Sequence, residues 1–459
     1  MPVVRRLSDG HVETLRRFAR RGSRTNVSKL LSKMRPGDVA ETLRGLTPAE
    51  QIELFRILLA EFPDGAAEVL SELDAAQRLG IIEHFGAEEI APILERMAVD
   101  DTVFVLDSLP EDLRDEVLDL VEEETLSEVE SQLTYRDDSA GRIMTTEYFA
   151  LPETTSVRDA VAAIQEQDDV EMIFYLYVVD EDGGLAGVVS LRQLLLARPQ
   201  RTLAEVMTTN VVSVTTETDQ EEVARLAERY DLLAVPVLDT ERQLAGIVTY
   251  DDIVDVVKEE ANEDFFKMAG TSDEEVTYQE TSWRVAKIRL PWLLVNLVGS
   301  VLTGLLLAHF QVSFHQVLFL LTFVPVIMGT GGNTGSQSAT LAVRGLATGR
   351  LVPELGRVRH FLWQQAKVGA YLGVGLGLIV AVVAFAIEKS PAYALVVGVA
   401  LFGAIVVASL NGALIPLVFQ RLGIDPAVAS GPLVTTGSDI TGILIYFGLA
   451  SVMMQWLVG

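Results

Sequence analysis

The chain has 459 residues, 49% of them hydrophobic, and a formal net charge of −28. It contains no cysteine, which excludes disulfides, thiolate metal sites and thiol catalysis, and its five histidines lack the spacing of a zinc site. Residues 281–459 hold four acids and ten Lys or Arg, a charge of +6, whereas residues 1–280 hold 60 acids and 26 bases, a charge of −34. The acidity of the first part disfavours nucleic acid and anionic lipid as its partners and favours bound cations or simple solubility. No apolar segment lies near the N-terminus, so we expect no membrane anchor before the acidic part.

A 12-residue period runs through the first part of the chain, from Arg35 to about Val121. Its units end on apolar residues, namely Leu46, Leu58, Leu73, Phe85, Met97, Leu109 and Val121. Residues typical of helix starts recur at the beginnings of the units: Thr47 with Pro48, Asp74, Gly86 and Pro110. Short helices with this period cannot bury a core singly, so we predict that residues 1–140 stack into a helical superhelix, with an ordinary bundle as the alternative. The acids Asp100 and Asp101 at one unit start are typical of solvated caps when taken alone.

Residues 141–258 contain a longer repeat, with one copy from Met144 to Arg192 and another from Met207 to Asp252. Each copy has a helical pattern, a short apolar strand, a turn, a second strand and another helix, which indicates an α/β unit. The predicted helices and first strands are Val157–Gln167 and Glu221–Tyr230, and Phe174–Val179 and Ala234–Leu238. The duplicated order, with a Gly-apolar-apolar-Ser/Thr turn leading into a helix, resembles a tandem pair of CBS domains.

The resemblance to CBS domains implies a nucleotide site at this turn, where a Ser/Thr-x-x-Asp sequence contacts ribose. Thr249 and Asp252 of the second copy match that sequence. The first copy has Ser190, Arg192 and Gln193 there and departs from the pattern, which leaves one good candidate site. A Ser/Thr-x-x-Asp sequence is also a common helix cap. Both interpretations, ATP binding and a simple cap, therefore stay open.

The chain between the CBS repeat and the first apolar span is densely acidic. One predicted helix carries seven acids, namely Asp251, Asp252, Asp255, Glu259, Glu260, Glu263 and Asp264. Spacings of three and four residues place them on neighbouring faces, where like charges repel unless counterions or a partner compensate. Hard divalent cations prefer such oxygen ligands, and a solvated acidic face is the alternative. Residues 259–284 are predicted as an acidic connecting helix, and a second acidic helix from Ser272 to Arg289 is predicted after a break at Gly270. A charge-controlled movement of this connector could therefore be transmitted to the membrane part.

Residues 285–459 resolve into five candidate membrane spans, each of about the 20 residues that a bilayer requires. They are roughly Leu290–His309, Phe314–Met328 continuing to Val343, Val368–Ile387, Tyr393–Phe419 and Pro432–Leu457. Basic residues cluster before the first span, between the second and third, and between the fourth and fifth, whereas the other connections carry almost none. The positive-inside rule places the N-terminus and the acidic part in the cytoplasm and the C-terminus outside.

Asp439 is a lone carboxylate in the otherwise uncharged stretch from Pro432 to Val458. An acid at mid-membrane costs about 3 kcal/mol or more, so it usually faces a partner or a water-filled path, with a protonated structural acid as the alternative. Its neighbours, among them Thr436, are small or hydroxylic and offer oxygens of the kind that a pore lining needs.

The second span contains a glycine-rich stretch, Pro325–Ala339. The proline and the clustered glycines, Gly331 and Gly332 among them, are predicted to break the helix at membrane depth, which is tolerated only where backbone is buried or lines a cavity. The break would expose carbonyls beside the amides of Asn333 and Gln337, groups that can hold a hydrated cation through its waters.

The stretches Pro325–Ala339, Asp425–Pro432 and Thr435–Gly442 resemble signatures of the MgtE family of magnesium channels, and the order of domains is similar along essentially the whole chain. The resemblance implies a multidomain α plus α/β membrane protein, forming a homodimer in a prokaryotic plasma membrane with its pore on the two-fold axis. It also implies Asp439 as the selectivity residue of each subunit, magnesium sensor sites between the N domain, the CBS pair and the connecting helix, and ATP in the CBS pair.

We therefore expect a Mg²⁺ channel that carries the ion down its electrochemical gradient. High cytosolic Mg²⁺ would bridge Asp100 or Asp101 to the acids of residues 251–264 and close the pore. A proton- or sodium-coupled secondary transporter using Asp439 as its coupling site is the alternative. A membrane-anchored enzyme would need a His–acid pair, a nucleophile motif or a P-loop lysine, and the sequence has none, so we expect no enzymatic activity.

Overall fold

The computed structural model describes residues 13–18, 23–73, 75–107, 109–166, 174–272, 282–313, 318–351, 354–429 and 431–457. The chain forms two compact units, Met1–Glu259 and Glu260–Gly459.

The N-terminal unit begins with a series of short helices. Their bounds are Arg24–Leu31, Pro36–Arg44, Pro48–Glu61, Pro63–Ser71, Ala75–Phe85, Ala87–Leu94, Val99–Asp107, Glu111–Leu118, Glu123–Leu133 and Ala140–Ile143. From Ala75 to Glu123 each helix starts 12 residues after the one before it, and the irregular intervals follow Pro48 and Glu123. The prediction of short helices at this period is confirmed.

The apolar residues that end each unit form the core of this helical region. Leu46, Leu58 and Leu73 are buried in one continuous cluster with Leu109. The helix that begins at Pro48 has the predicted start, because the backbone N–H of Thr47 donates to Glu50 Oε2 over 3.1 Å in a capping box. Asp74, another predicted start, lies outside the described residues.

Two small sheets follow, one in each CBS copy. The first contains Ala150–Pro152, Tyr175–Val179 and Leu185–Ser190, and the second contains Val214–Thr215, Ala234–Leu238 and Leu244–Thr249. In each sheet the middle strand pairs parallel with the first strand and antiparallel with the third. The accompanying helices are Val157–Gln165, Leu191–Leu196, Gln220–Tyr230 and Tyr250–Ala269, with a 3-10 turn at Leu203–Glu205.

The two copies exchange their opening segments. The N–H of Thr145 donates to Ile247 O over 2.8 Å, and in the symmetric pair the N–H of Thr208 donates to Val188 O over 2.9 Å. A side chain at Gly246 would meet Thr145 O at 2.7 Å, so the glycine of the repeated Leu-Ala-Gly sequence is required by the approach of the other copy. The α/β pair predicted from the repeat is thus one interlocked module.

The C-terminal unit is helical. Its helices are Ser282–Ser313, Leu318–Leu321, Val324–Ala347, Leu355–Glu388, Pro391–Arg421 and Pro432–Leu457, with a 3-10 turn at Pro426–Ala429. Four segments of the described residues are long and apolar enough to cross a membrane: Val285–His309, Leu355–Glu388, Pro391–Arg421 and Pro432–Met453. The predicted second span is the one that falls short of this measure. Its long helix, Val324–Ala347, is rich in glycine and hydroxyl side chains, and residues 314–317 lie outside the described part.

The prediction of a helix break within Pro325–Ala339 is wrong. The helix Val324–Ala347 is continuous through all of its glycines, and the interruption lies before it, at Thr322 and Phe323. Pro325 occupies the first turn, where its missing N–H has no intrahelical partner to lose. The glycines permit close approach instead, because a side chain at Gly412 on the neighbouring helix would run into the backbone of Gly335.

The helix Pro391–Arg421 lies at the centre of this unit and is buried along most of its length. Against it lies the helix Leu355–Glu388 with a buried stripe formed by Gly369, Gly373 and Gly377. Glycines spaced by four residues occupy one side of a helix and let two backbones approach closely, which is the usual packing device within membranes.

Candidate ion-conduction and sensing sites

Asp439 lies half-buried in the second turn of the helix Pro432–Leu457. Its Oδ1 is buried and has no hydrogen-bond partner among the described residues, and the same is true of the hydroxyl oxygens of Thr436 and Ser438. A buried polar atom without a partner costs about 1–3 kcal/mol. Water molecules or a hydrated cation would satisfy Asp439 Oδ1, whereas the Thr436 hydroxyl faces Gly299 and the Ser438 hydroxyl faces Gly335.

The glycine-rich helix passes beside this site. A side chain at Gly332 would lie 3.7 Å from Asp439 Oδ1 and 3.2 Å from Thr435 Cγ2, so only a glycine leaves the carboxylate this much room. Gly331 is also buried and faces the backbone carbonyl of Ser438. Of the predicted pore residues, the structure therefore brings Gly332 beside Asp439 and Gly331 beside the Ser438 carbonyl, whereas Thr436 lies against Gly299 of the helix Ser282–Ser313.

The two amides predicted to line the pore lie elsewhere on that helix. Asn333 and Gln337 are one turn apart and both exposed, on a face that continues through Gly329 and Val326. An exposed amide face on a helix of this unit is costly against lipid hydrocarbon. The face therefore requires a cover of water or protein.

A buried polar network that the sequence analysis missed fixes the helices around the site. The Ser338 hydroxyl lies 3.1 Å from that of Ser409 and 3.2 Å from Gln365 Oε1, and Ser409 donates to the Gln365 carbonyl over 2.9 Å. Asn411 Nδ2 donates to Thr441 Oγ1 over 2.9 Å. The only signal in the sequence is the presence of polar residues on glycine-rich faces of apolar helices, which does not say which of them pair.

In the N-terminal unit, two acids that are remote in sequence lie close together. Asp100 Oδ1 is buried and has no hydrogen-bond partner among the described residues. Burial, and then the charges of Asp252 and Asp101, raise the pKa of Asp100 well above its usual range. Burial and the charges of Asp251 and Asp101 raise the pKa of Asp252 to about 7, although a hydrogen bond from Thr249 opposes the rise. The structure thus assembles four of the predicted sensor acids.

This arrangement is not a closed metal cage. Among the described residues no three Asp, Glu or His side chains converge in a way that could hold a metal ion. Mg²⁺, however, keeps several of its waters and commonly binds through one or two carboxylates. The unpartnered Oδ1 of Asp100 and the neighbouring Asp252 fit that kind of site, because a cation would satisfy the oxygen and remove the repulsion together.

Thr249, one of the nucleotide candidate residues, borders a narrow cleft in the CBS pair. Its walls are Phe174, Tyr175, Tyr177, Leu233, Ala234, Ile247 and Thr249. The Thr249 hydroxyl hydrogen-bonds to the carboxylates of Asp251 and Asp252. In the first copy Ser190 and Gln193 instead form a capping box, with Ser190 N–H donating to Gln193 Oε1 over 2.8 Å, and Arg192 is exposed. The first-copy turn is therefore a helix cap, and the second-copy turn faces an aromatic cleft.

The acids of the connecting helix Tyr250–Ala269 are partly neutralised by lysines. Lys258 Nζ lies 2.6 Å from Asp255, and Lys267 Nζ lies 2.6 Å from Glu263 and 2.7 Å from Asp425. Asp425 precedes the last membrane helix by seven residues. The i, i+4 spacing of Glu263 and Lys267 could be found in the sequence, but the second partner of Lys267, 158 positions away, could not.

Lys267 and the acids around it, Glu260, Glu263, Asp264 and Asp425, form a cluster that shifts the pKa values of Asp264 and Lys267. Burial, and then the charges of Asp425 and Glu260, raise the pKa of Asp264 to about 6 despite the opposing charge of Lys267. Burial lowers the pKa of Lys267. Its hydrogen bonds to Asp425 and Glu263, together with the negative charges of these two acids, outweigh the effect of burial and raise the pKa overall. The cluster therefore holds more negative than positive charge. Glu259, another predicted acid of this helix, lies beside the cluster in sequence.

The C-terminal end of the connecting helix packs against the start of the last membrane helix. A side chain at Gly431 would meet Met268 O at 2.7 Å. Gly270 ends the connecting helix with φ of 74° and lies against Trp292, as the predicted break there requires. Residues 273–281 of the predicted second acidic helix lie outside the described part, and Ser282–Arg289 belong to the helix Ser282–Ser313. Movement of Met268 would bear directly on the helix that carries Asp439.

Comparison with known proteins agrees with this arrangement. Residues 324–449 match the MgtE divalent cation transporter family, residues 34–138 match the MgtE intracellular N domain, and residues 140–199 and 203–259 match CBS domains. The chain is 32% identical to a magnesium transporter MgtE of Bacillus subtilis over 95% of its own length and 96% of the relative's. It is 39% identical to a magnesium transporter MgtE of Thermus thermophilus over 85% of its own length and 87% of the relative's.

A solved structure of the soluble part of a magnesium transporter, 30% identical, covers 55% of this chain and 99% of its own chain with a TM-score of 0.50. These relatives are transporters and not enzymes, in agreement with the expectation from the sequence. The N domain, the tandem CBS pair and the apolar helices occur in the expected order. The chain belongs to the MgtE family of transporters.

Proposed function

We propose that this protein is a Mg²⁺-selective channel that imports magnesium and is closed by cytosolic Mg²⁺. The observation that carries the proposal is Asp439, a carboxylate in an otherwise uncharged helix whose Oδ1 is buried and has no partner in the described part of the chain. An acid at such a position is by default part of an ion path. The names of the relatives support magnesium as the ion.

The ion would pass with most of its water shell. Mg²⁺ gives up water reluctantly, so an acid holds it best through the waters, by charge. Gly332 leaves free the space beside the carboxylate that a side chain would take, so that waters of a hydrated ion can approach it. A divalent ion gains about 4.6 kcal/mol per 100 mV of inside-negative potential, so import needs no pump or coupled ion.

The pore would form between two copies of the chain. Asn333 and Gln337 lie on an exposed face of the helix Val324–Ala347. A second copy related by a two-fold axis would cover this face and place two Asp439 carboxylates around one path, as in other rings of acids that select cations. The amides would then line a wet surface instead of facing lipid.

The orientation would follow the basic residues. Arg284, Lys287 and Arg289 precede the first span, and further basic residues lie between the second and third spans and at Arg421. With Val324–Ala347 as part of a fifth crossing, the positive-inside rule places the N-terminus in the cytoplasm of a prokaryotic cell and the C-terminus outside. The acids of the N-terminal unit would then meet cytosolic Mg²⁺.

Gating would use the repulsion among these acids. At low cytosolic Mg²⁺, the charges of Asp100, Asp101 and Asp252 oppose one another and favour separation of their helices. At high Mg²⁺, the ion would bridge them and hold the connecting helix in place, with Asp251, Asp255 and the acids of residues 259–264 adding to the attraction. The bound ion would supply positive charge and order the waters around it. Because the connecting helix packs through Met268 on Gly431, its position would control the last membrane helix.

Nucleotide would bind in the second CBS copy. The cleft, with a volume of about 10 Å³, would have to widen for an adenine ring to reach Tyr175 and Phe174, and Thr249 with Asp252 offers the oxygens that ribose hydroxyls require. Asp252 belongs both to this turn and to the acid pair with Asp100. ATP and Mg²⁺ would therefore act on the same carboxylate.

A direct test is Mg²⁺ uptake into proteoliposomes under an inside-negative potential, without Mg²⁺ on the cytosolic side. We expect Asp439→Asn to lower the rate at least about tenfold, the equivalent of 1.4 kcal/mol of lost interaction with the ion. Glu388→Gln, the same chemical change at an exposed helix end, is the matched control and should keep the wild-type rate. Unchanged uptake in Asp439→Asn, or uptake that needs a proton or sodium gradient, would contradict the proposal and favour a coupled transporter.

A further inference from the structure

A basic pocket lies at the end of the glycine-rich helix, away from the sites described above. The cavity measures about 430 Å³ and lies between the C-terminal part of Val324–Ala347, the residues Arg350 and Leu351 after it, and the start of Leu355–Glu388. Its cationic and polar wall contains Arg350, Arg357 and His360, and its apolar wall contains Leu341, Leu351 and Phe361. The volume lies within the range of about 300–1,000 Å³ that is typical of pockets for small ligands.

The surrounding structure holds the pocket in shape. Leu351 is buried, and its N–H donates to Gly345 O over 2.7 Å. Gly349 has φ of 63°, a left-handed conformation that turns the chain back towards the helix it has just left. Among the described residues, the acid paired with the wall is Glu354, whose carboxylate lies 3.6 Å from Arg357 Nε with both side chains well exposed. A pair this exposed contributes little, so Arg357 can exchange it for an anionic ligand.

The length of the third span sets the depth of the pocket relative to a bilayer. The helix Leu355–Glu388 has 34 residues, about 51 Å at 1.5 Å per residue, whereas a hydrocarbon core is about 30 Å thick. The uncharged stretch Val368–Ile387 fills that core, which leaves residues 355–367 in the headgroup layer. Trp363 is exposed there, with Lys367 Nζ 5.4 Å from its ring centroid, as is common at a membrane interface.

We propose that this pocket binds an anionic phospholipid of the cytoplasmic leaflet. The phosphate would lie between the side chains of Arg350 and Arg357, with His360 as a further donor, and the glycerol and first acyl carbons would contact Leu341 and Phe361. A basic pocket between membrane helices on the cytoplasmic side has the chemistry that recognises such headgroups. The lipid would bridge the second and third spans and stabilise the helix that carries Gly331 and Gly332.

The proposal rests on the orientation given under the proposed function but not on transport. Lipid binding is therefore measured on the purified full-length protein, so that failure of one proposal is distinguishable from failure of the other. Native mass spectrometry during stepwise delipidation would compare phosphatidylglycerol with zwitterionic phosphatidylcholine. We expect phosphatidylglycerol to be retained after phosphatidylcholine has been lost.

Arg350→Gln combined with Arg357→Gln should lower the affinity for phosphatidylglycerol by about 25-fold, about fivefold for each cationic side chain removed near the headgroup. Arg359→Gln combined with Arg421→Gln removes the same charge from exposed residues that do not line the pocket, and should change the affinity less than about twofold. Leu341→Gln changes no charge but alters the apolar wall, and should also weaken retention.

Four results would overturn the proposal. The first is equal retention of the two lipids, and the second is equal loss in both double variants, which would indicate general surface charge. The third is displacement of the lipid by about 10 mM inorganic phosphate, which would assign the arginines to a free anion and not to a lipid. The fourth is a lower dimer fraction in the pocket variant with unchanged lipid retention, which would make the pocket part of a contact between copies.

Discussion

Carboxylates occur in two very different settings in this protein. Asp439 stands in an uncharged helix with hydroxyls and glycines around it, and its Oδ1 has no partner among the described residues. The connecting helix has acids throughout, but Lys258 and Lys267 each pair with one of them, Lys267 also pairs with Asp425, and Asp264 lies among like charges. The membrane part thus isolates one acid, whereas the connecting helix collects many and partly neutralises them.

The difference corresponds to two uses of the same group. An isolated acid with room around it can hold a hydrated cation briefly and release it, which conduction requires. A crowded, partly neutralised cluster changes its internal repulsion when a cation arrives, which sensing requires. The comparison predicts that substitutions in the membrane part disturb the packing of the helices around Asp439. Substitutions in the acidic part should instead alter how the stability depends on pH and Mg²⁺.

The largest effect is expected where the helices around Asp439 pack most closely against each other. Gly412→Val would force a side chain into the backbone of Gly335. Overpacking of this kind costs about 3 kcal/mol or more where backbone cannot move. We expect a large loss of monodisperse protein in fluorescence-detected size-exclusion chromatography and a lower unfolding temperature.

The matched control for that packing test is Gly375→Val. Gly375 lies in the neighbouring span, is exposed, and has no atom within 4 Å of the position of an added side chain. Its substitution should leave yield and unfolding temperature close to wild type. Equal losses in the two variants would show that glycine is needed for flexibility and not for close helix packing.

The second effect is a pH dependence of the stability of the N-terminal unit, measured in the absence of Mg²⁺. The pKa of Asp252 is raised from 3.8 to about 7, so the folded state keeps a proton that the unfolded state releases above about pH 4. The stabilisation of the folded state by this proton is complete below about pH 4 and is lost as the pH rises towards 7. The local free energy of unfolding should therefore fall by about 2 kcal/mol between pH 5.5 and pH 8.

Hydrogen exchange in the helix Val99–Asp107 and at the start of Tyr250–Ala269 would measure this change at both pH values. Asp252→Asn should lower the pH dependence, and Asp252→Asn combined with Asp100→Asn should remove most of it, because burial also raises the pKa of Asp100. Added Mg²⁺ should restore protection in the wild type at pH 8. Asp255→Asn, at an exposed acid on the same helix paired with Lys258, is the control for the measurement without Mg²⁺ and should keep the wild-type pH dependence. A pH dependence that survives Asp252→Asn unchanged would remove this carboxylate from the sensor.

A smaller effect is expected at Lys267. Lys267→Met leaves Glu263, Asp264 and Asp425 without their shared cation and should destabilise the C-terminal unit by about 1 kcal/mol, because the ion pairs are only partly buried. Thermal unfolding in detergent, followed by intrinsic fluorescence, would measure the loss, and about 10 mM Mg²⁺ should recover part of it by replacing the lysine. Lys258→Met removes an exposed lysine from the same helix and should have little effect. Equal destabilisation by the two variants would mean that the cluster around Asp425 has no special role.

Local patterns predicted much of the fold. The 12-residue period indicated the short helices because each unit ends on a residue that must be buried, such as Leu58 or Leu109. The repeated Leu-Ala-Gly sequence indicated the paired sheets, but not the exchange of opening segments through Thr145 and Thr208. That exchange depends on contacts about 100 and 20 residues apart along the chain, respectively, which periodicity does not report.

The candidate site was harder to predict in detail. Clustered glycines usually weaken a helix, and that reasoning suggested a break near Gly331. In the structure the helix is continuous, because its neighbours use the glycines to approach closely. The pairing of Lys267 with Asp425 and of Ser338 with Ser409 was also beyond the sequence, since each joins elements far apart in the chain.

The central claim is that Asp439 lies in a magnesium pore that internal Mg²⁺ closes. We would record currents from patches of membrane containing the purified protein while stepping Mg²⁺ on the cytosolic side from zero to about 10 mM, a range suited to weak sensor sites. The account predicts unitary Mg²⁺ currents that close as internal Mg²⁺ rises and are absent in Asp439→Asn. Slow, non-unitary flux that requires a proton or sodium gradient, or currents unchanged by Asp439→Asn, would contradict it.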